Sequence, residues 1–442
     1  MSPLVLSKGQ CGLMPLLLLL LPHLCLSLAP RYLSPSGSDT YDGTSPSHTP
    51  GTSTGPWLTL QHAVAALREV RPASPGPGDH ATLLLLGGTY RLTETLTLDA
   101  RDAHLELAAF SSDPVTISGG KELDLTWEED QLGVRTATVV GTCAEVFLDT
   151  WRLLPARSPN IPWRPNSFLA KGGFHTITGL LEETATCTRD ATGYAQDCPD
   201  SDREGFVISG ELDPAWPHLD QTNVVVFHSW IAEYAKVANV TMVEGRQEVR
   251  LQEPLVHAPV GNFITSGGWR FLVTNNRAVL DMEGEVVCVQ EGREATISYI
   301  PPTGLEEATP VLAELGVLIG ASNTHHITLT GLQFQHSSSL AKDGYSWGSE
   351  AAVKFWRTDD VTVQDCEFSH VGTIGLYLES CHGVSVHYNT FWDTGYHGLM
   401  ARCATSPTTS HPIATPTCKG PTRGSPLMKM WLLIATHLTA VG

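Results

Sequence analysis

Three segments in the last third of the chain align on one another, and they constrain the fold more than any other feature. They read Ile-Thr-Leu-Thr-Gly-Leu-Gln-Phe-Gln-His from Ile327, Val-Thr-Val-Gln-Asp-Cys-Glu-Phe-Ser-His from Val361, and Val-Ser-Val-His-Tyr-Asn-Thr-Phe-Trp-Asp from Val384. Apolar residues recur at positions one, three, six and eight. These are Ile327, Leu329, Leu332 and Phe334, then Val361, Val363, Cys366 and Phe368. The third copy repeats Val384, Val386 and Phe391 and puts Asn389 sixth. Alternation with a period of two means strand, and its break between positions three and six means a tight corner between two short strands. The second and third copies lie 23 residues apart, and the first and second 34 apart, which places an inserted loop over Ser337–Ser349. A repeat of this size built of short strands predicts a right-handed parallel β-helix, an all-β solenoid with one repeat per coil. An inward Asn fits such coils, because its amide satisfies corner backbone groups that would otherwise be buried unpaired.

With 442 residues the chain is long enough for one such solenoid with insertions. Its net charge of −19 argues against nucleic acid or an anionic membrane as partner, because binding phosphate needs a cationic surface. Met1–Ala29 reads as a secretory signal peptide. Lys8 is its basic flank, Leu13–Leu26 its apolar run, and Ser27-Leu28-Ala29 its small-residue cleavage site. Pro22 and His23 interrupt a run already short for spanning a bilayer, so no stable membrane insertion is expected. A secreted, extracellular chain would meet an oxidising setting. Cys187 and Cys198 flank a polar loop and are the expected disulfide, while Cys366 at a core position reads as a buried apolar residue. Asn239-Val240-Thr241 is the expected N-glycosylation acceptor.

Taken in order, residues 30–144 read as an N-terminal cap and the first coils. Trp57–Val70 carries Leu60, Val64, Leu67 and Val70 at helical spacing, and a helix there would cover the open end of the solenoid. Leu83–Leu86, Leu96/Leu98, Leu105/Leu107 and Val115/Ile117 are short strands bounded by Gly, Asp or Pro. Residues 145–300 lose the coil period and read as an inserted β-rich domain. Residues 301–401 return to coils, and 402–442 read as an irregular tail foreign to the fold.

Several motifs in this order resemble secreted, pectin-lyase-like β-helix proteins that act on carbohydrates. They are Tyr32-Leu-Ser-Pro-Ser-Gly-Ser-Asp39, Leu85-Leu-Gly-Gly-Thr-Tyr90 and Val115-Thr-Ile-Ser-Gly-Gly120. Phe147-Leu-Asp-Thr-Trp-Arg-Leu-Leu-Pro-Ala-Arg-Ser-Pro-Asn160 is similar to a hairpin of glycoside hydrolase family 141 (fucosidases and xylanases). His228-Ser-Trp230, Asn275–Gly284 and Tyr299-Ile-Pro-Pro302 continue the likeness. The resemblance implies a carbohydrate substrate or ligand. It also implies further coils beyond Arg402, which makes this chain a C-terminally truncated form with an exposed coil edge available for self-association.

The repeat alignment locates the side chains that could carry chemistry. Aligned positions stack about 4.8 Å apart. The tenth position forms a column of His336, His370 and Asp393, and the seventh and ninth bring Glu367 and Trp392 to the same flank, with Tyr377, Tyr396 and His397 on the next side. Glycoside hydrolysis uses two carboxylates, one protonated to assist the leaving group and one to attack or to activate water. The expected set is therefore Glu367 and Asp393 as the pair, His370 and His397 positioning, and Trp392, Tyr377 and Tyr396 binding the sugar. No metal or cofactor is expected, and the bland reading of each residue is a solvated polar group on a sheet face. A polysaccharide lyase would want a Lys or Arg base near its site, and Val361–Ala401 contains neither. A catalytically inactive or glycan-binding form is the main alternative, since fold does not fix function.

Overall fold

The computed structural model describes residues 28–143, 145–149, 151–160, 173–181, 188–189, 195–196, 203–228, 232–257, 269–339 and 350–402. The signal segment, Cys187, Cys198 and the tail from residue 403 therefore lie outside the described residues, as does the inserted loop beyond Ser339. No helix among the described residues is long and apolar enough to cross a membrane.

Three parallel sheets run the length of a β-helix. One carries six strands, in the order Arg31–Leu33, Ala81–Leu85, Leu105–Ala109, Ile327–Thr330, Thr362–Gln364 and Ser385–His387. The second carries Gly88–Arg91, Val115–Ser118, Gln333–Gln335, Glu367–Phe368 and Thr390–Phe391. The third carries Leu96–Leu98, Ile319–Ser322, Ala351–Trp356, Ile374–Glu379 and Leu399–Arg402. The register matches the repeat alignment, with Leu329 opposite Val363 and Val363 opposite Val386. The eight apolar positions of the first two repeats are at most 2 % exposed. Phe334, Phe368 and Phe391 stack face to face, with centroids 5.0 and 4.8 Å apart. Asn389 acts as the pattern required: its Nδ2 donates to the Val363 carbonyl (2.8 Å) and its Oδ1 accepts from the Cys366 amide (2.9 Å). Cys366, at 2 % exposure, is a core residue.

From Ile319 to Arg402 each corner of the coil is turned by residues in the left-handed backbone region, stacked coil upon coil. Gly331, Asp365 and Tyr388 make one column, with φ of 68°, 54° and 58°. Histidine, asparagine and aspartate are the side chains that tolerate this region best after glycine, which is why they recur at corners.

Between Ser118 and Ile319 the chain leaves the coils. The departure is wider than the period loss over 145–300 indicated, because Gly120–Glu122 already pairs antiparallel with Pro310–Ala313. Arg135–Val140 likewise pairs with Glu294–Tyr299 outside the solenoid. The insert holds antiparallel sheets with apolar cores of their own, one around Phe206, Val224, Val249 and Phe271. Cys143 and Cys288 form a disulfide within it, a pairing the sequence reading did not anticipate because the two lie 145 residues apart. Asn239 is exposed on the long strand Ala232–Val243.

The helix, Leu60–Val70, begins three residues later than its apolar spacing suggested. Thr59 caps it, accepting from the His62 amide, and Asp39 in turn accepts from the Leu58 and Thr59 amides at 2.9 Å. It buries Leu60, Ala63, Val64 and Leu67 against the solenoid core. It also covers the free edge of the third sheet, where Arg68 Nη2 donates to the Thr97 carbonyl at 2.9 Å. Arg68 is fixed by Asp102, with Nε to Oδ1 at 2.9 Å and Nη2 to Oδ2 at 2.5 Å, and Asp102 also accepts from the Asp99 amide. Asp102 is 1 % exposed, so Asp102→Ala should cost roughly 3 kcal/mol by removing the carboxylate that pairs with Arg68 and accepts from that amide. Chemical denaturation measures this. A midpoint equal to that of the unmodified chain would show that the cap does not depend on the pair.

Candidate functional site

The column expected from the repeats exists. The His336 amide donates to the His370 carbonyl (3.0 Å) and the Val371 amide to the Asp393 carbonyl (3.1 Å). All three residues are left-handed, with φ of 56°, 54° and 46°. The imidazoles of His336 and His370 lie 5.9 Å apart and nearly parallel, and His370 Nδ1 is 2.8 Å from Asp393 Oδ2.

The column is not the solvated flank of the bland reading. His336 is 8 % and His370 1 % exposed. A hairpin of the insert, Val146–Leu148 turning into Trp151–Arg152, lies across it. The Phe147 ring packs 5.0 Å from His336 and 5.5 Å from His370. Arg152 bridges to the coil: its Nε faces both Asp393 carboxylate oxygens at 3.0 and 3.2 Å, and its Nη2 donates to the carbonyls of Val371 and Asp393 at 3.0 Å. Gly120 permits this closeness, since a Cβ there would meet Val311 at 2.4 Å and His336 at 2.9 Å. Phe147 and Arg152 belong to the hairpin motif quoted from the sequence. Their target could not be read there, because the contact joins segments far apart in the chain.

The electrostatics differ from group to group. Burial alone would raise the Asp393 pKa, but the hydrogen bond from His370 and the Arg152 charge outweigh it and hold the carboxyl below its ordinary range. Burial raises Glu145, on the same hairpin, against the opposing Ser339 amide (2.8 Å) and Arg152. Two carboxyls under one arginine are thus pushed apart, a pattern that separates a proton donor from an ionised partner. Glu145 had no repeat position and so no signal in the sequence. His336 is buried as the neutral ring. Burial first, then His370, Arg91 and Arg152, take its pKa down to about 3. Its Nδ1 is 3.0 Å from Ser118 Oγ, and its Nε2 finds no hydrogen-bond partner among the described residues.

The other expected residues divide. Glu367 Oε1 accepts from Trp392 Nε1 (3.0 Å) and from Ser369 Oγ (2.9 Å). Trp392 is 37 % exposed and sits edge-on to His370 at 4.5 Å. A chain of contacts therefore runs Glu367, Trp392, His370, Asp393, Arg152, and each carboxylate is already held by an intramolecular partner. Tyr396 is 48 % exposed, with its ring 4.0 Å from that of His397. Burial lowers the His397 pKa. Tyr377 departs from the expected position on an accessible side. It is 0 % exposed, clustered with Ala351, Ile374 and Met400, and its hydroxyl donates to Glu379 at 3.0 Å. Its ring face is closed to a ligand.

No family model matches the chain, and no curated protein matches it. Among solved structures, a glycoside hydrolase aligns with a TM-score of 0.62 and 17 % identity, over 81 % of this chain and 65 % of that one. The chain thus spans about two thirds of that enzyme's length and shares its fold. A complex of XylC with xylose aligns at a TM-score of 0.32 and 10 % identity, over 84 % of this chain and 62 % of that one. A tailspike of Acinetobacter baumannii bacteriophage AP22, in complex with a capsular saccharide, aligns at 0.17 and 8 % identity, over 78 % and 41 %. Likenesses that distant carry no argument. The class defined by sheets and register is an all-β parallel solenoid carrying a large antiparallel insert.

The buried neutral His336 makes stability depend on pH. The unfolded chain takes up this proton near 6.5 and the folded chain only near 3. The contribution is therefore complete above the unfolded value and is lost as pH falls between the two, at about 1.4 kcal/mol per pH unit. His336→Gln should flatten the fall in unfolding free energy between about pH 6 and about pH 4, measured by urea titration. Equal slopes in the two proteins would show that His336 accepts its proton in the folded state.

Proposed function

We propose that this chain is a secreted glycoside hydrolase-like protein acting on a neutral or mildly substituted glycan along the flank that carries Trp392 and Tyr396. The observation that supports it best is the exposed Trp392 indole, tied through Nε1 to Glu367 and packed on the ring that holds Asp393. A sugar stacked on such a ring has an apolar face to lie on and carboxylates beside it. In this reading Asp393, kept ionised by His370 and Arg152, is the nucleophile or the base that activates water, and Glu367 is the acid. The acidic surface of the chain agrees with an uncharged substrate and disfavours the polyanion that a lyase would cleave. The shared fold with a glycoside hydrolase supports the same reading.

A second reading rests on a separate observation. Asp393 is fully engaged by Arg152 and His370, and Glu367 by Trp392 and Ser369, which suits a platform that binds a glycan without cleaving it. Self-association through the terminal coil, where Val384 is 36 % exposed, belongs to this binding-only form.

Glycan release from fucosylated and xylan-type substrates separates the two. Hydrolysis predicts turnover that Glu367→Gln and Asp393→Asn each lower by about 10²-fold or more, as expected for loss of a general acid or base. Trp392→Ala should raise KM more than it lowers kcat. Turnover unchanged in both carboxylate variants would sink the assignment of the pair. Glycan binding without turnover, lost in Trp392→Ala, would establish the platform instead.

A further inference from the structure

A second histidine cluster lies at a different corner of the solenoid, away from the column under the hairpin. His104, His325 and His326 each offer one ring nitrogen, and the three nitrogens lie within 4.8 Å of one another. His325 Nδ1 and His326 Nδ1 are 2.9 Å apart, close to the ~3.3 Å that two ligands of a tetrahedral zinc ion with ~2.05 Å bonds would show. His104 stacks on His326 at 4.3 Å and meets His325 edge-on at 5.1 Å. We propose that this corner is a binding site for a divalent transition metal, zinc in the first place, with His104, His325 and His326 as its ligands.

The register explains how the three meet. Ala81 pairs with Leu105, Leu105 with Ile327, and Thr328 with Thr362. The residue before the first strand of each coil therefore stacks in the order His80, His104, His326, Asp360. His104 and His326, with φ of 57° and 56°, turn the corner in the left-handed region, as does Asp360 at 52°. Asparagine or aspartate would meet that backbone demand equally well, so the turn alone does not account for imidazoles on adjacent coils with a third beside them. His326 Nε2 lies 3.6 Å from Asp360 Oδ2. A carboxylate behind a ligating histidine, on the ring nitrogen that does not face the ion, is the usual outer support of such a site.

The surrounding charges permit a cation. Arg71 donates to the Ala103 and His104 carbonyls and opposes a positive ion, but Asp79 and Asp102 act on it with the opposite sign. His80 faces Glu106 at 4.0 Å, and His382 pairs with Asp359 at 3.0 Å on the neighbouring coil. His325 and His326 are exposed, which gives the ion a way in. An all-nitrogen donor set suits zinc, copper or nickel and not calcium or magnesium, which take oxygen. The ligands come from either side of the insert, His104 before it and the pair after it. The ion would thus clamp together two adjacent coils that the chain joins only through that long excursion.

Zinc titration of the purified chain against a chromophoric chelator tests this. One equivalent should compete with the chelator and raise the thermal midpoint. His325→Ala, and His326→Asn, which keeps a residue that accepts the left-handed corner, should abolish both effects, and Asp360→Asn should weaken binding about tenfold or more. His382→Ala, on the same corner but outside the trio, should change neither. Failure of the unmodified chain to compete, or loss in His382→Ala equal to that in the trio variants, would overturn the assignment. So would binding that survives His325→Ala and His326→Asn in folded protein, as shown by circular dichroism.

Discussion

From Ile319 to Arg402 the coils turn every corner with a left-handed residue, and the rest of the molecule depends on that constraint. Strand pairing in parallel register stacks equivalent corners directly on one another, so a residue chosen for its backbone conformation acquires a neighbour of the same kind in the next coil. Gly331, Asp365 and Tyr388 form one such column, Asn323, Arg357 and Ser380 another, and His336, His370 and Asp393 a third. His104, His326 and Asp360 form a fourth. Polar and ionisable side chains are thus concentrated in lines along the edges, while the faces between them are filled by Leu, Val, Ile and Phe. A column of left-handed residues follows from backbone geometry, and that geometry leaves open which of the tolerant side chains fills it.

What distinguishes the columns is what covers them. The Val146–Arg152 hairpin of the insert lays Phe147 over two histidines and places Arg152 against Asp393, so that one polar edge becomes an internal seam between solenoid and insert. Seclusion from water then sets the chemistry: the same imidazole that would titrate near neutrality on a surface stays neutral as His336 down to about 3. At the corner of His104, His325 and His326 two of the three rings are exposed among the described residues. Two similar sequence features therefore have opposite environments, one suited to holding an insert in place and the other to receiving a ligand.

Much of the solenoid could be read from residues alone. The alternation at 327–334 and 361–368 specified both strands and the corner between them, and the sixth-place Asn389 was legible because only a backbone-satisfying amide belongs among apolar neighbours. The helix was legible through Leu60, Val64 and Leu67, although its first turn was set by Asp39 and Thr59 rather than by apolar spacing. The site was legible in part. Glu367, Trp392, His370 and Asp393 do meet, since one repeat alignment fixes all four. Tyr377 was misplaced because outward direction on a strand does not mean exposure once other side chains close over it. Glu145 and Arg152 went unrecognised as members because no periodicity links the insert to the coils.

The sequence by itself determined the coil: which residues face inward, where each corner falls, and which side chains share a column. These are local properties, governed by a two-residue strand period and by the few residue types that accept a left-handed backbone. Only the tertiary structure decided where the insert begins, which cysteines pair and which column is buried. Those outcomes depend on contacts between segments hundreds of residues apart, whose energies come from packing and desolvation and leave no periodic trace in the chain.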